Sequence, residues 1–598
     1  MRPGMTLLQA AQEAGVEIAA VCGGVGSCGK CRVQCIAGEL SPPTADEQRF
    51  FSEVELGAGY RLACQAVPLG DVKIDIPPES LSTPQRLQVE GQETAVLAEP
   101  VIEIVDVEMA SPTLHDLRSD TVRLTDALAE QGVSRPFYGQ PVLRSLSATL
   151  RDQDWRVRLA LRRQEPVYGS PSTQPWREVV GVMRSDQPVV GLAVDIGTTK
   201  MAAYLVSLES GHTLAKAGLM NPQIAYGEDV VSRIAYANEH QEGRWVLQER
   251  LIAGLNDLVG SLCVETGIDR GQIADAVVVG NTAIHHLFVG LPVTQLGAAP
   301  YIAAVSEPLD IEAEHLGLKL APGAKVYLPP NIAGYVGADH VSMLLATEVW
   351  QADRPAIALD IGTNTEISLA VDGKLLSCSC ASGPAFEGAH IHAGMRAAPG
   401  AVEYVQISDD TVMVQTIGNR PAVGICGSGI LDVVAELRAA GIVGRTGRLK
   451  QDHPRVVPWQ GGGAFLLVEG NGTRNGHNLL VTRGDVNEIQ LAKGAIRAGV
   501  DLLIKEAGIT YEDLGEFVVA GAFGTYLDLN SAMRIGMFPP LPLNRFRQVG
   551  NAAGAGARQM LISQSRRRLA ESLIDRVHYI ELTAHPAFTD IYMEAMVL

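Results

Sequence analysis

Hydrophobic and polar positions change their period several times along the chain. Leu7, Leu8, Ala11 and Val16 share one side of a helical wheel, which predicts an amphipathic helix from Thr6 to Glu17 running into a glycine- and cysteine-rich loop. Val72-Lys-Ile-Asp-Ile76 alternates as a strand and ends at Pro77-Pro78, and the polar stretch to about Gln92 has the aperiodic character of a linker. Val101 to Val107 alternates again, Ser119 to Glu130 has helical spacing, and short strands are expected as far as about Val182. From Val189 to the C-terminus, apolar strands and amphipathic helices take turns. The expected organisation is an α/β multidomain chain. It has a small cysteine-bearing domain at 1–78, a linker at 79–97, a small α+β middle domain at 98–188, and a large region at 189–598.

A length of 598 residues supports that division, because single cores seldom grow past about 250–300 residues. The net charge of −19 argues against nucleic acid as a partner, since neutralising phosphates needs a basic face. No uninterrupted apolar run approaches the roughly 18 residues that span a bilayer. Nine cysteines without a secretory signal point to a reducing compartment, read as cytoplasm. Small molecules or other proteins are the expected partners.

Four cysteines carry the first chemistry. Cys22, Cys28 and Cys31 lie in one loop, five residues separating the first two, and Cys64 follows after a strand-and-turn stretch. Three thiolates from one tight loop and a fourth from a distant one is plant-type [2Fe–2S] spacing. The longer first gap resembles the adrenodoxin-like branch. Glycines between the cysteines let the backbone wrap closely, and Lys30 adds positive charge. A four-cysteine zinc site or a cluster of buried thiols is the bland alternative. The same loop also fits G-x-G-x-x-G and nearly fits a Walker A loop. Cys31 stands where the latter needs Ser or Thr, and the former lacks its following helix and ribose-binding acid. Cys35 reads as an ordinary half-buried cysteine. A ferredoxin fold normally places a β-hairpin before the first helix, so either the true start lies upstream or this domain is abridged.

The large region repeats itself. Val190-Gly-Leu-Ala-Val-Asp195-Ile-Gly-Thr198-Thr199 and Ala356-Ile-Ala-Leu-Asp360-Ile-Gly-Thr363-Asn364 are each an apolar strand entering a glycine turn, and each is followed by a second strand. A carboxylate at a strand end beside hydroxyls and amides in a turn suits metal and phosphate together. A single copy could be a mere hairpin turn. Two copies 165 residues apart suggest a duplicated domain clasping one nucleotide between its halves.

This pattern resembles the acetate and sugar kinase, Hsp70 and actin superfamily. The resemblance implies Mg2+ held by Asp195 and Asp360, phosphate contacts from Thr198, Thr199, Thr363 and Asn364, and adenosine at the turns Gly427-Ser428-Gly429 and Gly521 to Gly524. With the cysteine domain included, the whole chain is similar to the reductive activators of corrinoid proteins. Asn221 to Arg233, Val279 to His286, Gly383 to Gly388, Gly394 to Gly400, Asp485 to Lys493 and Gly521 to Asp528 all carry that likeness. It implies an N-terminal β-grasp ferredoxin-like domain and a duplicated actin-like ATPase domain. It also implies a corrinoid protein of a methyltransferase system as partner, an upstream reductase or ferredoxin as electron donor, and a homodimer. No cysteine follows Cys426, so electrons would pass through a single cluster. Cys378 and Cys380 read as core, and His285 and His286, adjacent on a helix, as poor joint ligands for a metal.

The activity so implied is ATP-dependent return of Co(II) to Co(I), with the linker letting the cluster domain swing. A small-molecule kinase with a redox-sensing ferredoxin domain is the chief alternative, and an actin-like ATP-binding scaffold is a third. The activators of 2-hydroxyacyl-CoA dehydratases share the ATPase fold but bridge a [4Fe–4S] cluster, against the spacing found here.

Overall fold

In the computed structural model, residues 4–13, 18, 24–26, 29, 31–76, 96–164, 176–408, 411–474, 476–521, 523–524 and 526–598 are described. The apolar strands Val190–Ile196 and Ala356–Ile361 each form the middle of a six-stranded sheet, and five strands of each sheet follow the same order. In the first, Val190–Ile196 pairs antiparallel with Lys200–Ser207, which pairs antiparallel with Thr213–Met220, and its other edge runs parallel to Ile273–Gly280 and then Lys325–Leu328. In the second, Ala356–Ile361, Thr365–Val371 and Lys374–Cys380 are antiparallel, with Glu516–Ala520 and Phe546–Gly550 parallel on the other side. Each sheet adds one edge strand, Leu309–Glu312 or Val577–Tyr579. The central strands are covered on both faces, which is why they read as unbroken apolar runs.

Two helices fill the space between the sheets. Ala338–Thr347 follows the last parallel strand of the first sheet, and Ala552–Ile562 follows its counterpart in the second. They meet closely: Ser342 Oγ donates to the Ala553 carbonyl at 2.6 Å, and a Cβ at Gly556 would lie 2.0 Å from the Ser342 carbonyl oxygen. One buried cluster runs from Ala193 and Val277 through Val341 and Leu345 to Ala358 and Val518. The duplication inferred from the two loops is therefore a duplication of whole sheets.

Ahead of them, Ile102–Glu108, Arg156–Gln164, Trp176–Arg184 and Pro136–Tyr138 form a four-stranded sheet. The predicted helix is present as Asp120–Glu130, with the Ser119 hydroxyl accepting from Val122 N. A second helix, Gln140–Asp152, stands where only short strands were expected, and it buries Val142, Leu146 and Leu150 at helical spacing. The N-terminal segment has the helix Leu7–Glu13 and a three-stranded sheet of Tyr60–Leu62, Arg32–Ala37 and Lys73–Asp75. The helix's predicted last residues, Ala14 to Glu17, lie outside the described residues. Cys378 and Cys380 are buried in the core of the second half, as read from the sequence. Among the described residues, no helix is long and apolar enough to cross a membrane.

Candidate functional site: a cleft between two loops and a cysteine loop

Both Asp-x-Gly-Thr turns are closed by a hydrogen bond from the glycine N–H, the second turn one residue shorter than the first. Gly197 N donates to the Lys200 carbonyl at 2.8 Å, and Gly362 N donates to the Asn364 carbonyl at 3.0 Å. Both open into one cavity of about 250 Å3, lined by Asp195, Thr198, Thr199, Asp360, Thr363 and Asn364. The first loop is held by its carbonyls: Asn221 Nδ2 donates to Gly197 O at 2.9 Å, and the fully buried Arg233 donates to Thr198 O at 2.5 Å and Gly227 O at 2.8 Å. Thr198 Oγ1 accepts from Asn281 Nδ2 at 3.1 Å, and Asp195 Oδ2 accepts from Asn551 Nδ2 at 2.9 Å.

The remaining lining residues come from all over the chain. Gly427 and Ser428 line the cleft, but they belong to the first turn of the helix Gly427–Ala439 rather than to a turn before it. Gly429 is absent from the lining; a Cβ there would lie 2.1 Å from the Val402 carbonyl oxygen, so this glycine serves close packing. Gly521 lines the cleft against Asp360, whereas Gly524 packs beneath the strand end, its carbonyl accepting from Gln548 Nε2 at 2.6 Å.

Carboxyls dominate the electrostatics. Asp195 and Asp360 open to the cleft yet sit deep between the halves, and burial raises them to about 6 and about 7, the charge of Asp195 adding to the shift of Asp360. Asp339, which the sequence reading did not single out, is pushed to about 8 by burial and then by Asp195 and Asp360. Burial, then the charges of Asp339 and Asp360, drive Glu366 well above the usual carboxylate range. So much negative charge in one place calls for cationic neutralisation. Among the described residues, no three His, Cys, Asp or Glu side chains converge at metal-holding distance. Lys200 also lines the cleft, its ammonium held below the ordinary lysine range by burial.

At the other end of the chain, Cys31 and Cys64 are buried in one small core with Leu7, Val33 and Leu62. Cys22 and Cys28 lie outside the described residues. The loop glycines Gly24, Gly26 and Gly29 all have positive φ, and a Cβ at Gly26 would come within 2.7 Å of Gln65 Nε2. That is a backbone folded tightly in left-handed turns beside two buried thiols, as a cluster-binding loop requires. Beneath it Glu47, fully buried, takes a two-pronged ion pair from Arg61 at 2.9 and 2.8 Å and accepts from Leu62 N at 2.9 Å. This fixes the strand that leads to Cys64.

Comparison with known proteins agrees with both ends. Residues 1–69 match a 2Fe-2S iron-sulfur cluster binding domain. Residues 91–187 match the RACo linker region, 190–352 the RACo middle region, and 354–598 the C-terminal domain of RACo, the ASKHA domain. The chain is 30% identical over 594 residues to the corrinoid activation enzyme RamQ of Eubacterium limosum, covering 97% of this chain and 94% of that one. The chain belongs to the reductive activators of corrinoid proteins. A solved structure titled reductive activator for corrinoid, iron-sulfur protein superposes with TM-score 0.74 at 32% identity, over 100% of this activator and 96% of that chain. A [Co(II) methylated amine-specific corrinoid protein] reductase of Methanosarcina barkeri is 28% identical over 407 residues, 63% of this activator and 70% of that protein. The segment that matches the RACo middle region carries the first of the two matching sheets, and the cleft lies between it and the C-terminal domain.

Among the cleft residues of the activator that sequence reasoning missed are Asn281, Asp339, Glu387 and Asn551. Asn281 and Glu387 fall inside stretches that carry the family likeness, but nothing in their spacing marks them as cleft residues. Asn281 and Asn551 cap the helices Thr282–Phe288 and Ala552–Ile562, and an Asn before an apolar helical run was the signal available for them.

Proposed function

We propose that this protein uses ATP to drive the reductive activation of a corrinoid protein, delivering one electron to its Co(II) and regenerating the Co(I) that accepts a methyl group. The observation that carries this reading is the meeting of two equivalent phosphate-type loops in one cleft, in a chain that also buries Cys31 and Cys64 beside a glycine loop. Cys22, Cys28, Cys31 and Cys64 would hold a [2Fe–2S] cluster. When bound, it supplies a one-electron carrier, at about −400 mV for the plant type. Asp195 and Asp360 would hold Mg2+, directly or through water. Thr198, whose proton is left free by accepting from Asn281, and Asn364 would bind phosphate, with Thr199 and Thr363 beside them. Gly427 and Ser428 at a helix start, with Gly429, Gly521 and Gly524 shaping the walls, would receive the adenosine.

ATP is needed because a tenfold fall in product ratio accompanies each 59 mV or so of shortfall in a one-electron step. Binding at two loops, one on each half, gives nucleotide a differential affinity for closed and open arrangements, and that difference is the work available for acting on the partner. A reductase-type protein supplies the electron. We read the chain as domains at 1–78, 98–188 and 189–598, joined at 79–97.

The two ends should be separable. Cys64→Ala should abolish electron delivery to the corrinoid protein and leave ATP affinity within about threefold of wild type, whereas Asp360→Ala should lower phosphate release at least about a hundredfold and leave the visible absorption of the cysteine domain intact. Normal electron delivery by the Cys64 variant would remove the cysteine assignment.

A further inference from the structure

Glu387 ends a single 3-10 turn, Pro384–Glu387, and is followed by Gly388 at φ 80. Its two oxygens are divided between the loops. Oε2 accepts from Thr199 Oγ1 at 2.7 Å, and Oε1 accepts from Thr363 Oγ1 at 2.7 Å. One hydroxyl comes from each half of the ATPase. A hydroxyl has a single proton to give, so in this arrangement neither threonine can donate to a phosphate oxygen, which is itself only an acceptor. Thr198 differs, because it accepts from Asn281 and keeps its proton.

A carboxylate in a cleft shaped for polyphosphate is repelled by that ligand unless it faces a cation or a proton donor. Lys200 and Arg396 line the same cleft, and Lys200 feels the charges of both Glu387 and Arg396. Arg396 Nη2 is committed to Glu228 at 3.3 Å, while its Nη1 is buried without a partner. Lys200 thus offsets part of the Glu387 charge, and Arg396 Nη1 is left for phosphate. Each Glu387 oxygen retains lone-pair capacity beyond its threonine bond, and water is the proton donor that phosphate chemistry brings here.

We propose that Glu387 holds and deprotonates the water that attacks the terminal phosphorus of ATP, with Thr199 and Thr363 as its positioning residues. This rests on the ATP-driven reading above. The water oxygen bonds to phosphorus as the bond from phosphorus to the β–γ bridging oxygen breaks. The electron pair of that bond leaves with ADP, and one water proton passes to the Glu387 carboxylate and then to solvent. Because its anchors belong to opposite halves, Glu387 is aligned only when both loops stand at this separation, which ties hydrolysis to closure of the cleft.

The test uses the full chain and reads ADP affinity and MgATP-dependent phosphate release together. Glu387→Gln, which can still bond both threonines, should keep ADP affinity within about threefold and lose phosphate release by about a hundredfold or more. Thr363→Val should lower kcat about tenfold with KM for ATP nearly unchanged, and Thr363→Ser should restore kcat. Turnover by Glu387→Gln within about threefold of wild type overturns the proposal. So does a Thr363→Val variant whose KM rises tenfold at constant kcat, the mark of a phosphate ligand. A wild-type chain that releases no phosphate from ATP would instead remove the reading beneath it.

Discussion

At Gly521 the backbone stands at φ 92, and a Cβ there would lie 2.6 Å from Asp360 Oδ1 and 2.7 Å from the Ile361 carbonyl oxygen. Alanine would be strained by about 1–2 kcal/mol in the left-handed region and would displace the carboxylate at the centre of the site. Gly521→Ala should therefore lower phosphate release at least tenfold while the visible absorption of the cysteine domain stays unchanged. Asp339 makes a second prediction, on pH. Burial, then Asp195 and Asp360, raise its pKa to about 8, against about 3.9 in the unfolded chain. A raised acid favours the folded state only while protonated, so its contribution is fully present below about pH 4 and is lost as pH climbs to about 8. Asp339→Asn removes the charge and keeps the shape. Its gain in the thermal midpoint of the ATPase region, measured without divalent cation, should grow between about pH 5.5 and about pH 8.5. A gain independent of pH would contradict the assignment.

Among the elements, Asn281 joins a helix to a loop. Its Oδ1 accepts from Ile284 N at 3.0 Å at the start of Thr282–Phe288, and its Nδ2 donates to Thr198. Asn281→Ala should cost about 1 kcal/mol from the lost cap and also weaken ATP binding, while Asn281→Ser should recover most of the stability but not the affinity. Thermal denaturation and nucleotide titration separate the two effects. Local signals of this kind made much of the fold readable. The helical spacing from Ser119 to Glu130 gave Asp120–Glu130 almost to the residue, and the paired loops announced two matching sheets. The helix Gln140–Asp152 was hidden because Ser145, Ser147 and Thr149 are weak helix formers; its formation is decided by burial of Val142, Leu146 and Leu150. Gly427 to Gly429 read as a turn for the same reason, yet a Cβ at Gly427 would lie 1.7 Å from the Phe386 carbonyl oxygen, so glycine is there for close packing at a helix start. Of the site, the duplicated Asp-x-Gly-Thr turns could be read because repetition is a local signal. Glu387 could not, because the fold brings it to Thr199 across 188 residues of sequence.

Across the whole molecule, one buried carboxylate ties three parts together. Asp275, on a central strand of the first sheet, bonds Arg162 of the four-stranded sheet at 2.6 Å and also Arg567 of the second half, while Arg162 reaches Asp310 at 2.5 Å. Buried charges of this kind are poor evidence of stability, but they tolerate little displacement, since an unpaired one costs about 3–5 kcal/mol. The four-stranded sheet is thereby held to both halves. On the proposed function, closure of the cleft around ATP drives an electron onto cobalt. Purified anaerobically with its cluster, the full chain would be mixed with a low-potential reductant and a Co(II) corrinoid protein from the same genome, and Co(I) absorbance followed with and without MgATP. A rise that depends on MgATP is the predicted result. No rise, with ATP consumed only when a small metabolite is supplied, would contradict the account and mark the cleft as that of a kinase.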